Sequence, residues 1–370
     1  MSASLRRAAG SLLVVGLGGT ELTGLERAWL KLVCPAGTIL FKRNIADARQ
    51  TRALLDEATA ICSAQSLRCV DVEGGTVDRL RDALAAIPSA QAVARAISQK
   101  SNGLARGHGA LVGRAVKAFG FNTTLAPVLD LGLPESAAVM GTRAAAATAA
   151  GVVDYARGFL SGLAVQNVVG CGKHFPGLGG GALDSHLETP AISRSGGELW
   201  REDLEPYRAL RDELPMLMVN HAAYPKTPGK ARPASVSAYW ITKVLRREIG
   251  YRGIAFSDDL EMGGILKFMP MEEAAVAAVC AGIDLMEICH SPELILRAYE
   301  ALIAEGERSG AFRTMLLARE KRTARLRARL FAAPVPKALT TNQFQALRKH
   351  ILRFGETVAK AQANAEVQTA

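Results

Sequence analysis

The chain of 370 residues is 49% hydrophobic but only 5% aromatic, and its formal net charge is +10. This apolar fraction allows a large buried core, and α/β barrels of this length commonly form one domain. The positive charge does not indicate a nucleic-acid partner, because no aromatic residues alternate with the late basic run. We interpret that run as the solvated face of a helix. It comprises Arg308, Arg313, Arg319, Lys321, Arg322, Arg325, Arg327 and Arg329.

The six cysteines have neither CxxC spacing nor the spacing of a disulfide framework, and several lie in apolar runs. Such cysteines usually behave as small core residues, which predicts a reducing, cytoplasmic location. Arg6 and Arg7 precede an apolar stretch, as in signal peptides. No A-x-A cleavage site follows, however, and we interpret Leu12–Val15 as a first strand. No apolar run has the length of a membrane span, so we expect no membrane partner.

Eight short apolar runs with helical periodicity between them predict a repeated strand–helix unit. Parallel strands joined by right-handed crossovers, repeated eight times, close into a (β/α)₈ TIM barrel. A doubly wound open sheet is the alternative, although it usually has fewer strands. The predicted strands are Leu12–Val15, Thr38–Phe41, Leu67–Val72, Phe121–Val128, Val168–Cys171, Met216–Val219, Ile254–Ser257 and Leu285–Cys289. The predicted helices include Asp47–Ser63, Ala144–Gln166, Gly197–Asp212 and Pro270–Ala281.

We expect one barrel domain over residues 1–333, followed by a linker and a C-terminal helix or tail over residues 334–370. Pro334–Pro336 indicates the linker, and a helix is predicted around Asn342–Gly355. We expect Gln362–Ala370 to be frayed. We expect this tail to be too short to hold a second sugar-binding domain.

Polar residues cluster directly after the predicted strands. In a (β/α)₈ barrel those positions line the C-terminal rim, where active sites are built. The sequence therefore predicts a functional site at this rim. The clusters are Arg43–Asn44, Asp71–Glu73, Asp130, Lys173–His174, Asn220–His221, Asp258–Asp259 and Glu287–His290.

The segment Lys173–His186 begins with a lysine and a histidine, continues through a glycine-rich run, and ends in Asp-Ser-His. A phosphate-binding loop is disfavoured, because the P-loop pattern is absent. We predict a rim loop in which Asp184 orients the imidazole of His186 for acid/base chemistry. A glycine-rich surface turn with a solvated histidine is the simpler explanation of the motif in isolation.

Asp258 ends an apolar strand, where a carboxylate is costly unless it meets water, a cation or a substrate. We predict that it is a nucleophile able to attack a sugar's anomeric carbon. The neighbouring Asp259 is a candidate helix cap. Three further rim segments are candidates for contacts to hydroxyl groups or anions: Asp71–Gly75 with Arg79, Met140–Arg143, and Asn220–His221.

Together these motifs resemble glycoside hydrolase family 3, and within it the single-domain bacterial β-N-acetylglucosaminidase branch. The resemblance covers about the first 300 residues. The motifs are Gly19–Thr23, Gly37–Asn44, Asp71–Gly75, Ala126–Asp130, Gly141–Arg143, Lys173–His186 and Phe256–Leu260.

The resemblance implies a residue-by-residue assignment. It places Asp258 as the nucleophile and His186, paired with Asp184, as the acid/base. It also implies hydrolysis of terminal β-linked N-acetylglucosamine, typically from peptidoglycan fragments, without metal, nucleotide or other cofactor. We expect a monomer or a weak homodimer. The sugar-binding positions that it implies are Asp71, Arg79, Arg143, Lys173 and His174.

Three positions depart from the pattern of the family, which usually has His at Leu178, Gln at Val72 and Arg at Thr76. None of them removes a proposed catalytic group, but each leaves the substrate preference open. A β-glucosidase, a phosphorylase or a catalytically silent muropeptide-binding barrel are the alternatives.

Overall fold

The computed structural model describes residues 3–62, 65–97, 103–181, 189–230, 232–333 and 337–369. Eight parallel strands of this part of the chain close into a barrel, so the predicted fold is confirmed and the open sheet was wrong. Each barrel strand pairs with the next one along the chain, and the last strand pairs with the first. These strands are β1 (Leu13–Gly16), β2 (Gly37–Leu40), β3 (Leu67–Val70), β6 (Thr123–Thr124), β7 (Val169–Phe175), β8 (Met216–Val219), β9 (Ile254–Asp259) and β10 (Leu285–Ile288). A hairpin of β4 (Val72–Gly74) and β5 (Val77–Asp78) follows β3.

Helices surround the barrel and cover its outer face, and a π-helical segment spans Tyr239–Glu248. The helices are α1 (Ala3–Gly10), α2 (Gly24–Val33), α3 (Ala48–Cys62), α4 (Ala90–Ala96), α5 (Gly103–Ala118), α6 (Ala137–Met140), α7 (Ala149–Val165), α8 (Gly196–Arg201), α9 (Glu205–Ala209), α10 (Gly263–Leu266), α11 (Met271–Ala281), α12 (Pro292–Arg308), α13 (Gly310–Leu330) and α14 (Thr341–Thr369).

Two elements of the structure are shorter than the strand and the helix that the sequence predicts. Strand pairing in the run Phe121–Val128 is confined to the two-residue β6 and an isolated bridge between Val128 and Lys173. Pro127 lies between them and lacks the N–H group that a continuous strand needs. The predicted helix Ala144–Gln166 begins at Ala149, where the side chain of Thr148 accepts a hydrogen bond from the backbone N–H of Gly151 at 3.3 Å. Both differences move residues out of regular structure and into rim loops.

The basic helix α13 crosses the N-terminal end of the barrel. The interpretation of the late basic run as a solvated face was therefore wrong for Arg319, Arg322 and Arg327. The other five residues of the run are exposed as expected: Arg308, Arg313, Lys321, Arg325 and Arg329. Nη2 of Arg322 donates to the carbonyl oxygen of Arg252 at 2.7 Å, just before β9. Nη1 of Arg327 donates to the carbonyl oxygen of Ala36 at 2.9 Å, just before β2. Arg319 pairs with the buried Asp284 at 3.0 Å. These arginines attach the helix to the end of the barrel that lies opposite the predicted site.

The C-terminal helix α14 spans Thr341–Thr369 and is longer than the predicted helix around Asn342–Gly355. The fraying of Gln362–Ala370 stays a prediction. The helix packs against α4 and α5 and buries Leu347, Ile351 and Val358 almost completely. It is therefore part of the folded domain. The predicted linker Pro334–Pro336 lies outside the described residues. No helix in the described part of the chain is long and apolar enough to span a bilayer.

Candidate active site

A pocket of about 460 Å³ opens at the C-terminal end of the barrel strands. It brings together six of the eight predicted site residues, from five different strands or loops. His186 and Asp184, the predicted acid/base pair, lie outside the described residues. The six residues that line the pocket are Asp71, Arg79, Arg143, Lys173, His174 and Asp258.

A buried ion-pair cluster forms one wall of the pocket. Nζ of Lys173 lies 2.6 Å from Oε1 of Glu73 and 2.8 Å from Oδ1 of Asp71. Arg143 binds both carboxylate oxygens of Glu73, from Nε and Nη2, at 2.9 Å each. Burial by itself would raise the pKa of Glu73, but Lys173 and Arg143 outweigh it and lower the pKa to about 2. The cluster therefore stays charged and fixes the two cations relative to the pocket.

The β4–β5 hairpin positions Glu73 under this wall. Gly74 and Gly75 follow it with φ angles of 87° and 64°, in the left-handed region that favours glycine. A Cβ atom on Gly74 would also lie only 2.1 Å from the carbonyl oxygen of Pro88. The Glu-Gly-Gly sequence is thus required for the hairpin to turn tightly and present its carboxylate to Lys173.

Asp71 keeps one oxygen available to the pocket. Its Oδ1 contacts Lys173, and its Oδ2 lies 3.9 Å from Nη2 of Arg79. The guanidinium of Arg79 also lies 5.8 Å from the ring centre of Phe41, which contributes to the pocket wall. A carboxylate held between two cations in this way can accept hydrogen bonds from ligand hydroxyl groups.

A second buried carboxylate orients His174. Oδ2 of Asp130 lies 2.6 Å from Nδ1 of His174 and accepts its backbone N–H at 3.1 Å. Oδ1 of Asp130 accepts the backbone N–H of Leu178 at 2.7 Å. One carboxylate therefore holds both the imidazole and the start of the glycine-rich segment.

Asp258 is the second-last residue of β9 and lines the pocket. Burial would raise the pKa of this carboxyl, but His174 and His221 outweigh it, and the pKa is lowered. The backbone N–H of Asp259 also donates to its Oδ1 at 3.0 Å. Asp258 is thus an ionised carboxylate at the wall of an open pocket, which is the state that a nucleophile needs.

Asp259 differs from its neighbour. Its Oδ1 accepts the backbone N–H of Glu261 at 3.0 Å, so it stabilises the turn before α10. Burial and the nearby Glu261 raise the pKa of Asp259 to about 7. The predicted capping role is close to this observation, although the bonded group lies in the turn and not in the helix.

Comparisons with known proteins identify the family and support the fold. The model of the glycosyl hydrolase family 3 N-terminal domain matches residues 5–317. The chain belongs to this family. It is 39% identical to a β-hexosaminidase of Alkalilimnicola ehrlichii over 287 residues, which is 76% of this chain and 82% of the relative. A family 3 β-N-acetylglucosaminidase structure from Paenibacillus matches with a TM-score of 0.86 and 28% identity, over 97% of this chain and 69% of that one. NagZ from Neisseria gonorrhoeae matches with a TM-score of 0.74 and 28% identity, over 93% and 97% of the two chains.

Of the three residues that depart from the family pattern, one lines the pocket and two do not. Leu178 is buried and contributes an apolar surface to the pocket wall. Val72 belongs to the core and Thr76 is exposed, and neither of them lines the pocket. Of the three, only Leu178 can therefore contact a ligand in this pocket directly.

Asn220 and His221, which were candidates for ligand contacts, do not line the pocket. Nδ2 of Asn220 donates to the carbonyl oxygen of His174 at 3.0 Å. Nδ1 of His221 lies 2.7 Å from the Ser235 hydroxyl oxygen. Nε2 of His221 lies 2.9 Å from the carbonyl oxygen of Asp259, which lines the pocket. In this family 3 barrel both residues therefore contact the backbone of residues that line the pocket.

Glu73, Asp130 and Glu287 lie in the polar rim clusters that the sequence predicts, but the sequence assigned none of them an individual role. The signal for Glu287 is a single acidic residue inside the apolar run Leu285–Cys289. Glu73 and Asp130 act on partners 70 and 44 residues away in the chain, so only the closed barrel shows their roles.

One group of described residues has the composition of a metal site: Asp259, Glu261 and His290 have potential ligand atoms within 4.8 Å of one another. Glu261 is already used, however. Its Oε1 accepts the backbone N–H of Ser291 at 2.6 Å, and its Oε2 accepts those of Cys289 and His290. This carboxylate therefore stabilises the start of α12, and backbone N–H groups already bind both of its oxygens.

Proposed function

We propose that this family 3 chain removes terminal β-linked N-acetylglucosamine by a retaining mechanism, with Asp258 as the nucleophile. The observation that carries the proposal is the ionised carboxylate of Asp258 at the wall of the pocket. The same pocket is lined by the fixed cations Lys173 and Arg143 and by the fixed His174. The β-hexosaminidase relatives and the β-N-acetylglucosaminidase structures support the choice of sugar.

In the first step Asp258 attacks the anomeric carbon while His186 protonates the leaving oxygen. The bond between that carbon and the leaving group breaks, and a glycosyl ester forms on Asp258. In the second step His186 removes a proton from water, and the water oxygen displaces the carboxylate. The sugar leaves with its original configuration, and Asp184 orients His186 in both steps.

Residues of the ion-pair cluster bind the sugar in this scheme. The open oxygen of Asp71 accepts hydroxyl protons, while Lys173, Arg79 and Arg143 donate to sugar oxygens. His174, held by Asp130, lies between the cluster and Asp258 and helps to keep the nucleophile ionised. These roles follow from the hydrogen-bonding capacities of the side chains.

We further propose that the natural substrates are peptidoglycan fragments handled in the cytoplasm. The six cysteines are all free thiols in the structure, which suits a reducing compartment. The branch resemblance supports the substrate class.

A panel of aryl glycosides tests the proposal. The protein is expected to release the aryl group from the N-acetyl-β-glucosaminide and far more slowly from the β-glucoside. Added inorganic phosphate should not change the product. Faster cleavage of the glucoside would indicate a β-glucosidase, and a sugar phosphate product would indicate a phosphorylase. Binding of N-acetylglucosamine without any turnover would indicate a silent binding protein.

A further inference from the structure

Glu287 is an acidic residue that the catalytic scheme does not use. It lies in β10 between Leu285 and Cys289, whose side chains pack inside the barrel. Because side chains alternate along a strand, residue 287 points to the same interior face. Its side chain contributes to the wall of the sugar pocket, although the residue is only 3% exposed.

The carboxyl group of Glu287 is only half satisfied. Its Oε1 accepts a hydrogen bond from Sγ of Cys289 at 3.0 Å. Its Oε2 is buried and has no hydrogen-bond partner among the described residues. A buried polar atom without a partner destabilises a fold, so such a group is usually retained for another reason.

The surroundings of Glu287 keep it neutral. Burial raises its pKa well above the ordinary value, and the nearby carboxylates of Asp259, Asp71 and Asp258 add to this effect. A neutral carboxylic acid can donate a hydrogen bond, whereas an ionised carboxylate can only accept one. Titratable groups on three other strands face Glu287. They are Cys69 in β3 and Asp71 directly after it, Cys171 in β7, and Asp258 and Asp259 in β9.

We propose that Glu287 is a sugar-binding residue whose carboxylic acid O–H donates a hydrogen bond to an oxygen of the N-acetylglucosamine bound in the pocket. Glu287 thus supplies a hydrogen-bond donor in a part of the pocket where the carboxylates of Asp71 and Asp258 can only accept hydrogen bonds. The inference rests on the proposed function for the identity of the sugar. It assigns a specificity-determining contact from the eighth barrel strand.

A purely structural role makes the opposite prediction. Leucine is close to glutamate in size and would suit the interior position between Leu285 and Cys289, without leaving an unpaired oxygen. If Glu287 is instead kept for folding, its replacement by leucine should lower the Tm despite this fit. A residue kept for binding should lose affinity while stability stays equal or rises.

The test compares Glu287→Leu with the matched variant Glu287→Gln in the full chain. Calorimetry measures the affinity for N-acetylglucosamine, thermal unfolding measures stability, and the aryl glycoside gives KM and kcat. We expect Glu287→Leu to weaken sugar binding about tenfold, which corresponds to one lost hydrogen bond, without a lower Tm. Glu287→Gln, which keeps an N–H donor, should recover part of the loss.

The pH profile gives a second measurement that does not need the leucine variant. Wild-type affinity should fall on the alkaline side as Glu287 ionises beside Asp71 and Asp258, and Glu287→Gln should abolish this fall. Unchanged affinity in Glu287→Leu, or the same alkaline fall in Glu287→Gln, would overturn the inference. The binding measurement does not require turnover. An inactive wild type with Glu287-dependent sugar binding would therefore contradict only the proposed hydrolysis.

Discussion

Nζ of Lys173 lies 2.6 Å from Oε1 of Glu73, and their side chains are only 4% and 2% exposed. Glu73 also binds Arg143 through both of its oxygens, so a single carboxylate neutralises much of the positive charge in this wall. Removing the charge of Glu73 leaves Arg143 without its counter-charge, while Lys173 keeps only Asp71. This costs much more free energy than the loss of a surface ion pair.

We expect Glu73→Gln to lower the free energy of unfolding by about 3 kcal/mol or more. The matched control is Glu272→Gln, which breaks an exposed Arg297–Glu272 pair of the same two-bond geometry, with distances of 2.7 and 2.9 Å. The control should cost far less, because exposed pairs contribute little. Denaturant unfolding compares the two variants, and equal losses would contradict the interpretation of a buried charge cluster.

The stability that Glu73 contributes should depend on pH. Its pKa is lowered from 4.5 to about 2 in the folded protein, so the folded form binds the proton less readily than the unfolded chain. Its contribution is therefore complete above about pH 4.5 and is lost as pH falls towards 2. The difference between wild type and Glu73→Gln should stay constant from about pH 7 to 5 and shrink below this range. A difference that grows on acidification would contradict the sign.

Asp130 is expected to act by holding His174 in place. Asp130→Ala removes the acceptor for the imidazole, for its backbone N–H and for that of Leu178, so kcat/KM should fall by about a hundredfold. Asp130→Asn keeps one carbonyl acceptor and should lose less. Steady-state kinetics with the aryl glycoside provides the measurement. Equal and small losses in both variants would show that His174 does not depend on this carboxylate.

The C-terminal helix offers a neighbouring pair of residues for a stability test. Ile351 is fully buried, whereas Leu352 is 52% exposed. Ile351→Ala should lower the free energy of unfolding by about 2 to 5 kcal/mol. Leu352→Ala should stay within about 0.5 kcal/mol of wild type. Similar effects in both variants would contradict docking of α14 on the domain.

The barrel could be predicted from the sequence because each strand has a short apolar run and each run is followed by a helix or a polar rim segment. The strand ends were harder to predict. The run Leu67–Val72 continues past the true end of β3, because Val72 pairs with Asp78 in a hairpin that lies outside the barrel sheet. Hydrophobicity alone does not distinguish these two kinds of pairing.

The sequence predicts which side chains line the pocket where a polar residue ends an apolar strand, as for Asp258 and Lys173. Supporting residues could not be predicted in this way. Asp130 acts on His174 across 44 residues, and the arginines of α13 that bind the end of the barrel have the same sequence signature as its exposed arginines. Which charges are buried is decided by the closure of the barrel and by how the helix packs across its end.

The most direct test of the account is the turnover of an aryl N-acetyl-β-glucosaminide by Asp258→Ala, with and without azide. Glu272→Gln is the control, because that exposed carboxylate lies outside the pocket. We predict that Asp258→Ala loses turnover by several orders of magnitude, and that azide restores cleavage with an α-configured sugar azide as the product. The control should retain most of its turnover. Near-normal turnover by Asp258→Ala without azide would contradict the assignment of Asp258 as the nucleophile.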